Sequence, residues 1–281
     1  MMKVTLTNEI LSYITEIEHN RYKVSSVKLS KPVMNRLRKN SKKKSSYASN
    51  KIEGNPLSEK QVDEVIERDE RKHYLKPEQE VRNYFLALNY LEEKVSKKEK
   101  FSQKLILDVQ KLVEKGASKE KIGLRGSMPP GVLFAVYDSK TGNPDYIPPE
   151  YCDIPELLDE LVEYVNTTDD HPLIVAAVHY QLVTIHPFED GNGRTARLLS
   201  GYIMDLNGYG FNGIGSLEEY FAYDIDEYYE SIQMGLPALY YSGRENPPHP
   251  EIWINYFLRM VKLYSGKVCD LQLASEEEDI A

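Results

Sequence analysis

Apolar residues recur at helical spacing through most of the chain. Ile10, Leu11, Ile14 and Ile17 predict an amphipathic helix over 7–22. Ser30, Lys31 and Pro32 read as the cap and first turn of a second helix. Ser49 opens a single helical turn with Glu53 at its end. Gly54, Asn55 and Pro56 must close that turn, because Gly suits a left-handed exit and Pro cannot continue a helix. Ser58 and Glu59, followed by Val62, Val65 and Ile66, start the next helix. Val81, Phe85, Leu88 and Leu91 stripe a longer one after Pro77, and 101–115 is helical up to Gly116.

The texture changes over 123–151, where Pro129, Pro130, Gly131, Gly142, Pro144, Pro148 and Pro149 exclude a long helix. The run VLFAVY, the turn KTGN and the following DYIPP predict a β-hairpin. Helices resume over 154–166 and 172–185. The second of these is apolar nearly all round, as in a helix at the centre of a bundle. His179 inside it reads as a core histidine rather than a ligand. Further helices are expected over 195–207, with an exit at Gly208, and over 217–235 and 251–264; the acidic tail 276–281 is expected to be disordered. The pattern is all-α with one small hairpin.

Composition narrows the class. With 281 residues, 41% hydrophobic and 28% charged, the chain can hold one large globular domain or a core with an appendage. Cys152 and Cys269 form no metal spacing and no disulfide framework, which fits a reducing cytoplasm. The start MMKVTLTNEI lacks a signal-peptide layout, and no apolar run is long enough for a membrane span. The net charge of −9 argues against a nucleic-acid partner, yet it is uneven: residues 1–60 carry 13 Lys and Arg against 5 Asp and Glu. Six cations lie within 36–44, either as a solvated face or as a patch for phosphate or an acidic partner.

The chemistry concentrates in HPFEDGNGRTAR, residues 186–197. Glycines let backbone N–H groups converge on an anion, and a helix starting there adds its positive end. Arg194 and Arg197, three apart, share a helical face and present forks that match phosphate oxygens. Asp190 is a hard oxygen ligand for Mg²⁺, and His186 can serve as a general base near neutral pH.

This segment resembles the Fic motif, H-P-F-x-[D/E]-G-N-G-R-x-x-R, at every specified position, and the resemblance extends over roughly 30–265 through the G-L-R near 123, the hairpin and the central helix. It implies an all-α, Fic-type helical bundle with a hairpin flap, and transfer of AMP from ATP to a Ser, Thr or Tyr hydroxyl of a protein target. Carried over, it makes His186 the base, buries Phe188 to fix the loop, and puts Mg²⁺ on Asp190. Gly191, Asn192 and Gly193 cradle phosphates, while Arg194 and Arg197 bind the β- and γ-phosphates. Related phosphotransferases carry Lys where Gly193 stands, which favours nucleotidyl transfer here.

SNKIEG, residues 49–54, resembles the family's inhibitory pattern [S/T]-x-x-x-E-[G/N], with Ser49 and Glu53 at its fixed positions. Glu53 would pair with Arg197 and withhold it from the γ-phosphate; some similar enzymes also use this glutamate to remove AMP. The flap at about 132–147 is a target-docking strand by resemblance, or a purely structural hairpin. Tyr228 and Tyr229 resemble adenine-facing positions, with a core role open for either. The expected division is an inhibitory segment at 1–95, a catalytic core at 96–240, and a C-terminal helix and tail at 241–281. Related proteins often form homodimers that bury the inhibitory segment. Two other readings are a regulatory or nucleic-acid-associated module with a vestigial site, and a toxin whose built-in SNKIEG replaces an antitoxin; no C-terminal DNA-binding extension is expected.

Overall fold

The computed structural model describes residues 4–68, 71, 73–118, 121–137, 141–233, 237–243 and 249–280, the side chains of 277–280 excepted. Helices α1 (Asn8–Ser26), α2 (Lys31–Ile52), α3 (Glu59–Glu67), α4 (Lys76–Ser96) and α5 (Gln103–Glu114) precede an antiparallel hairpin, β1 (Val136–Tyr137) with β2 (Pro144–Tyr146). There follow α6 (Ile154–Thr167), α7 (Pro172–Ala176), α8 (His179–Ile185), α9 (Asn192–Leu206), α10 (Glu218–Phe221), α11 (Ile225–Gln233), α12 (Tyr240–Gly243) and α13 (Pro250–Ile280). The fold is all-α with one small hairpin, as the pattern predicts. Among the described residues no helix is long and apolar enough to cross a membrane.

The core gathers around α9, which packs on α4, α5, α7 and α8 and buries Thr195, Ala196, Leu198, Leu199, Tyr202 and Ile203. Local signals set many of the helix starts. Thr7 and Ser102 accept from the backbone N–H three residues on, and Ser58 with Gln61 forms a reciprocal capping box.

Five elements depart from the pattern, three of them through tertiary contacts. Glu53 does not end a single turn; it caps α2, a helix of 22 residues. Serine favours caps because its hydroxyl competes with the backbone. Here the Ser45 hydroxyl donates to Glu218 Oε2 (2.8 Å) and the Ser49 hydroxyl accepts from Arg197 (2.8 Å), so neither opens a new helix. The cations of α2 are matched within the fold: Lys42 to Glu92, Lys43 to Glu67, Lys44 to Glu219, and Arg38 to the Asn212 carbonyl. Lys42 and Lys43 thus join α2 to acids of the body, while Arg36, Lys39 and Lys44 of the basic stretch stay exposed.

The 172–185 helix breaks into α7 and α8. The Ala176 carbonyl accepts from Ser200 Oγ (2.6 Å), and the Ala177 carbonyl accepts from the Tyr180 N–H three residues on (3.2 Å) and from the Trp253 indole (2.9 Å). The 217–235 helix divides into α10 and α11, and 234–236 lie outside the described residues. Helix α13 runs beyond 264 to Ile280 because α1 lies along it: Asn20 donates to Ser265, and Gln272 donates to the Val24 and Val27 carbonyls. That helix includes most of the expected disordered tail; Ala281 lies outside the described residues. In the hairpin, VLFAVY narrows to two paired residues, and 138–140, which include the first residue of the predicted KTGN turn, are likewise outside the described residues.

Candidate active site

Helix α8 ends at Ile185, and His186 caps it in the left-handed region (φ 48°, ψ 57°), a conformation uncommon outside glycine. Its Nδ1 lies 3.2 Å from the Val183 carbonyl. That contact places the proton on Nδ1 and leaves a lone pair on Nε2. Burial holds the imidazole neutral, pushing its pKa down to about 4, and the nearby Arg125 cation acts in the same direction.

The loop beyond is clipped by Asn192. Its Oδ1 accepts from the Phe188 N–H (3.0 Å) and its Nδ2 donates to the Phe188 carbonyl (2.9 Å), with the Phe188 ring fully buried. Asn192 thus fixes the loop, a role distinct from the phosphate cradle that the resemblance implies. Helix α9 starts here, ahead of Thr195, with Gly191 as its left-handed cap (φ 81°). A side chain at Gly191 would run into Glu114 Oε1, 2.7 Å from an added Cβ.

Arg197 is buried and held on several sides. Nε donates to Ser49 Oγ (2.8 Å), Nη2 to the Ser49 carbonyl (2.9 Å) and to Glu53 Oε1 (2.7 Å), and Nη1 to the Tyr228 hydroxyl (3.2 Å). Burial alone would lower its pKa, but Tyr228, Glu53 and Tyr84 raise it, so it stays charged. The Glu53 carboxylate also covers Gly193, where an added Cβ would overlap Oε1.

His186, Gly193, Arg197, Glu53 and Tyr229 line one cleft of about 270 Å³, walled by Val136, Asp145 and Tyr146 of the hairpin. Tyr229 is 42% exposed there, whereas Tyr228 is 1% exposed and bonds His179 Nε2 through its hydroxyl (2.8 Å). Tyr228, although it also borders the cleft, and His179 are therefore buried in the core, and Tyr229 is the exposed ring of the tyrosine pair.

Asp190, Gly191, Asn192 and Arg194 do not line that cleft; Asp190 and Arg194 meet in a neighbouring cluster. Arg194 Nη2 reaches Glu114 Oε1 (2.9 Å) and Asp190 Oδ1 (3.2 Å), while its buried Nε and Nη1 have no hydrogen-bond partner. Burial raises the Glu114 carboxyl to about 7 despite the opposing pull of Arg194. Nη1 lies 3.8 Å from Glu80 Oε1, an ion pair without a hydrogen bond, and guanidinium donors that lack hydrogen bonds at a helix N-terminus suit an anion. Asp190 Oδ1 also accepts from the Gly191 N–H (2.8 Å), which leaves Oδ2 facing Lys121 at 3.6 Å. Among the described residues no group of three or more His, Cys, Asp and Glu could hold a metal. Asp190 Oδ2, which accepts no hydrogen bond but is ion-paired with Lys121, is the single carboxylate oxygen there for Mg²⁺, an ion that keeps waters and takes substrate phosphates as ligands.

Sequence reading did not single out Glu114, Lys121 or Arg125, all distant from the motif. Arg125 stood only as part of the G-L-R that follows the family's order.

The Fic/DOC family model matches residues 58–204. The chain belongs to the Fic/DOC family. "Protein adenylyltransferase fic-1" of Caenorhabditis briggsae is 36% identical over 143 residues, covering 48% of this chain and 27% of that protein. "Protein adenylyltransferase Fic" of Drosophila grimshawi is 27% identical over 206 residues, covering 70% and 40%. The matches thus span less than half of each of these relatives. Among solved structures, a Fic family protein from Desulfovibrio desulfuricans G20 aligns with a TM-score of 0.76 at 22% identity over 96% of this chain and 77% of that one. Fic-1 from Caenorhabditis elegans aligns with a TM-score of 0.71 at 22% identity over 96% and 73%. At that identity both show the Fic fold, and this Fic chain carries it over nearly its whole length.

Proposed function

We propose that this Fic chain is a protein adenylyltransferase that transfers AMP from ATP to a Ser, Thr or Tyr hydroxyl of a protein target and is held inactive by Glu53. The observation that carries the reading is the cleft in which a neutral imidazole with a free Nε2 stands beside Arg197, itself bound by Glu53. The curated relatives named as adenylyltransferases support the reaction class.

In the reaction, the target hydroxyl oxygen bonds to the α-phosphorus while its proton passes to His186 Nε2. The α–β bridging P–O bond breaks and pyrophosphate leaves. Asp190 Oδ2 would hold Mg²⁺, which neutralises charge on the phosphate oxygens. The Arg194 donors that make no hydrogen bond, Nε and Nη1, and the N–H groups opening α9 suit the β-phosphate. Arg197 would take the γ-phosphate once Glu53 leaves. With Glu53 in place, the anion that Arg197 would bind is replaced by a carboxylate of its own chain, and this supports autoinhibition. Tyr229 offers the adenine an exposed ring. The same glutamate, in one cleft with His186, could align a water for removal of AMP. Free Cys152 and Cys269 suit a reducing cytoplasm.

Incubating the Glu53→Gly protein with ATP and a lysate, followed by mass spectrometry, should find AMP on hydroxyl side chains and none when His186→Ala is added. Equal modification with and without His186 would refute the reading. AMP removal is checked by mixing wild type with an AMP-modified target; absence of released AMP would exclude that second activity.

A further inference from the structure

Arg125 lies between α5 and the hairpin, 61 residues from His186 in sequence, yet it addresses the active-site loop through both main chain and side chain. Its N–H donates to the Pro187 carbonyl (2.9 Å) and its Nε to the His186 carbonyl (2.8 Å). Its Nη2 donates to the Pro149 carbonyl, where the chain leaves the hairpin. The guanidinium also covers the Phe134 ring, 4.6 Å from its centroid, and that ring stands 6.0 Å from the imidazole of His186. Arg125 is 6% exposed and does not line the nucleotide cleft. Beside it, Leu124 pairs with Phe188 in an antiparallel bridge.

These contacts fall where the loop needs them. His186 is a non-glycine residue in a left-handed conformation, which persists only when its surroundings over-determine it. The two carbonyls that follow α8 have no helical donor, and a rigid fork of donors satisfies one while the adjoining N–H satisfies the other. The stacked ring belongs to the flap, and the third acceptor lies where the chain leaves it. We infer that Arg125 is the positioning residue of His186: it fixes the base's strained backbone and, through Phe134 and Pro149, makes the placement of the ring depend on the flap. This rests on His186 acting as the base in the reaction proposed above.

The test uses the full chain in the Glu53→Gly background, comparing Arg125→Gln, Arg125→Lys and Phe134→Leu. Misplacing a base by about an ångström costs on the order of 10²-fold in rate. Arg125→Gln should therefore lower kcat by about that factor while KM for ATP stays within about twofold. Arg125→Lys keeps the charge but loses the planar fork, so it should not rescue. Phe134→Leu, which leaves the carbonyl contacts intact, should lower kcat several-fold at unchanged KM. A kcat retained within about twofold in both Arg125 variants, or an effect confined to KM for ATP, would overturn the proposal.

A second readout does not depend on activity. Nitrogen-15 NMR of His186 in the otherwise wild-type chain should show the Nδ1–H tautomer, with protonation well below the ordinary histidine range. Arg125, Glu53 and Asp190 are the charged groups that act on the ring. In Arg125→Gln and Phe134→Leu the tautomer preference should weaken; an unchanged tautomer in both contradicts the inference. If Arg125→Gln melts as unfolded protein, Phe134→Leu decides by the same two measurements. If the Glu53→Gly protein transfers no AMP at all, the reaction reading fails while the NMR result still decides the role of Arg125.

Discussion

At the scale of single residues, the twelve positions 186–197 do unlike jobs. His186 is held neutral by burial with its free nitrogen on the cleft, so it needs no deprotonation before it accepts the target's proton. A histidine with a lowered pKa loses basic function only when pH falls well below the usual 6.5. We therefore expect kcat/KM of the Glu53→Gly protein to hold from neutrality down past pH 6.5, with its acid limb nearer pH 5 than pH 7; a limb at or above 6.5 would contradict the burial argument. Asn192 holds both backbone groups of buried Phe188. Asn192→Ala leaves both unpaired, at about 1–3 kcal/mol for each buried group. Urea unfolding should show that loss, and transfer should fall with it. The identities in this segment were legible because the chemistry is contiguous. Arg125 and Glu114 were not, since one arginine in a loop and one glutamate at a helix end carry no spacing signal until the fold brings them to the loop.

At the scale of elements, α2 carries the regulation. Its basic residues meet acids on α3, α4 and α10, and Glu218 is the buried centre of that contact, accepting from Ser45 (2.8 Å), Ser216 (3.2 Å) and Tyr84 (2.9 Å). Glu218→Gln puts an amide donor among those hydroxyls and should cost about 1–3 kcal/mol. We expect a lowered melting temperature together with basal AMP transfer above wild type, because Ser49 and Glu53 lie one and two turns beyond Ser45 on the same helix. A melting shift with no rise in basal transfer would separate the anchor from the inhibition. Sequence periodicity found the helices of the first half well. It missed the length of α2 because Ser49 resembles a cap until its hydroxyl meets Arg197. It missed the break between α7 and α8 because Ser200 and Trp253, which donate to the carbonyls at the break, come from remote parts of the chain.

At the scale of the whole molecule, buried ionisable groups with opposed tendencies shape stability against pH. His186, at about 4 when folded, and His179, held well below its ordinary value by burial and Arg197, bind fewer protons folded than unfolded. Between about pH 4 and 6.5 they make stability rise with pH. Glu114, at about 7 when folded against 4.5, has the opposite sign: it binds more protons folded, and its contribution falls as pH rises from 4.5 to 7. Urea midpoints at the two ends of the range 4.5–6.5 should therefore rise more steeply with pH in Glu114→Gln than in wild type. An equal or shallower rise would show that Glu114 ionises normally. The central claim, AMP transfer restrained by Glu53, is tested most directly by the position of the label. Wild type, Glu53→Gly and Glu53→Gly with His186→Ala are each given ATP labelled at the α- or at the γ-phosphorus, and protein-bound label is counted. We predict strong α-label on Glu53→Gly, weak α-label on wild type, and neither on the double variant; γ-label on protein, or equal α-label on wild type and Glu53→Gly, would contradict the account.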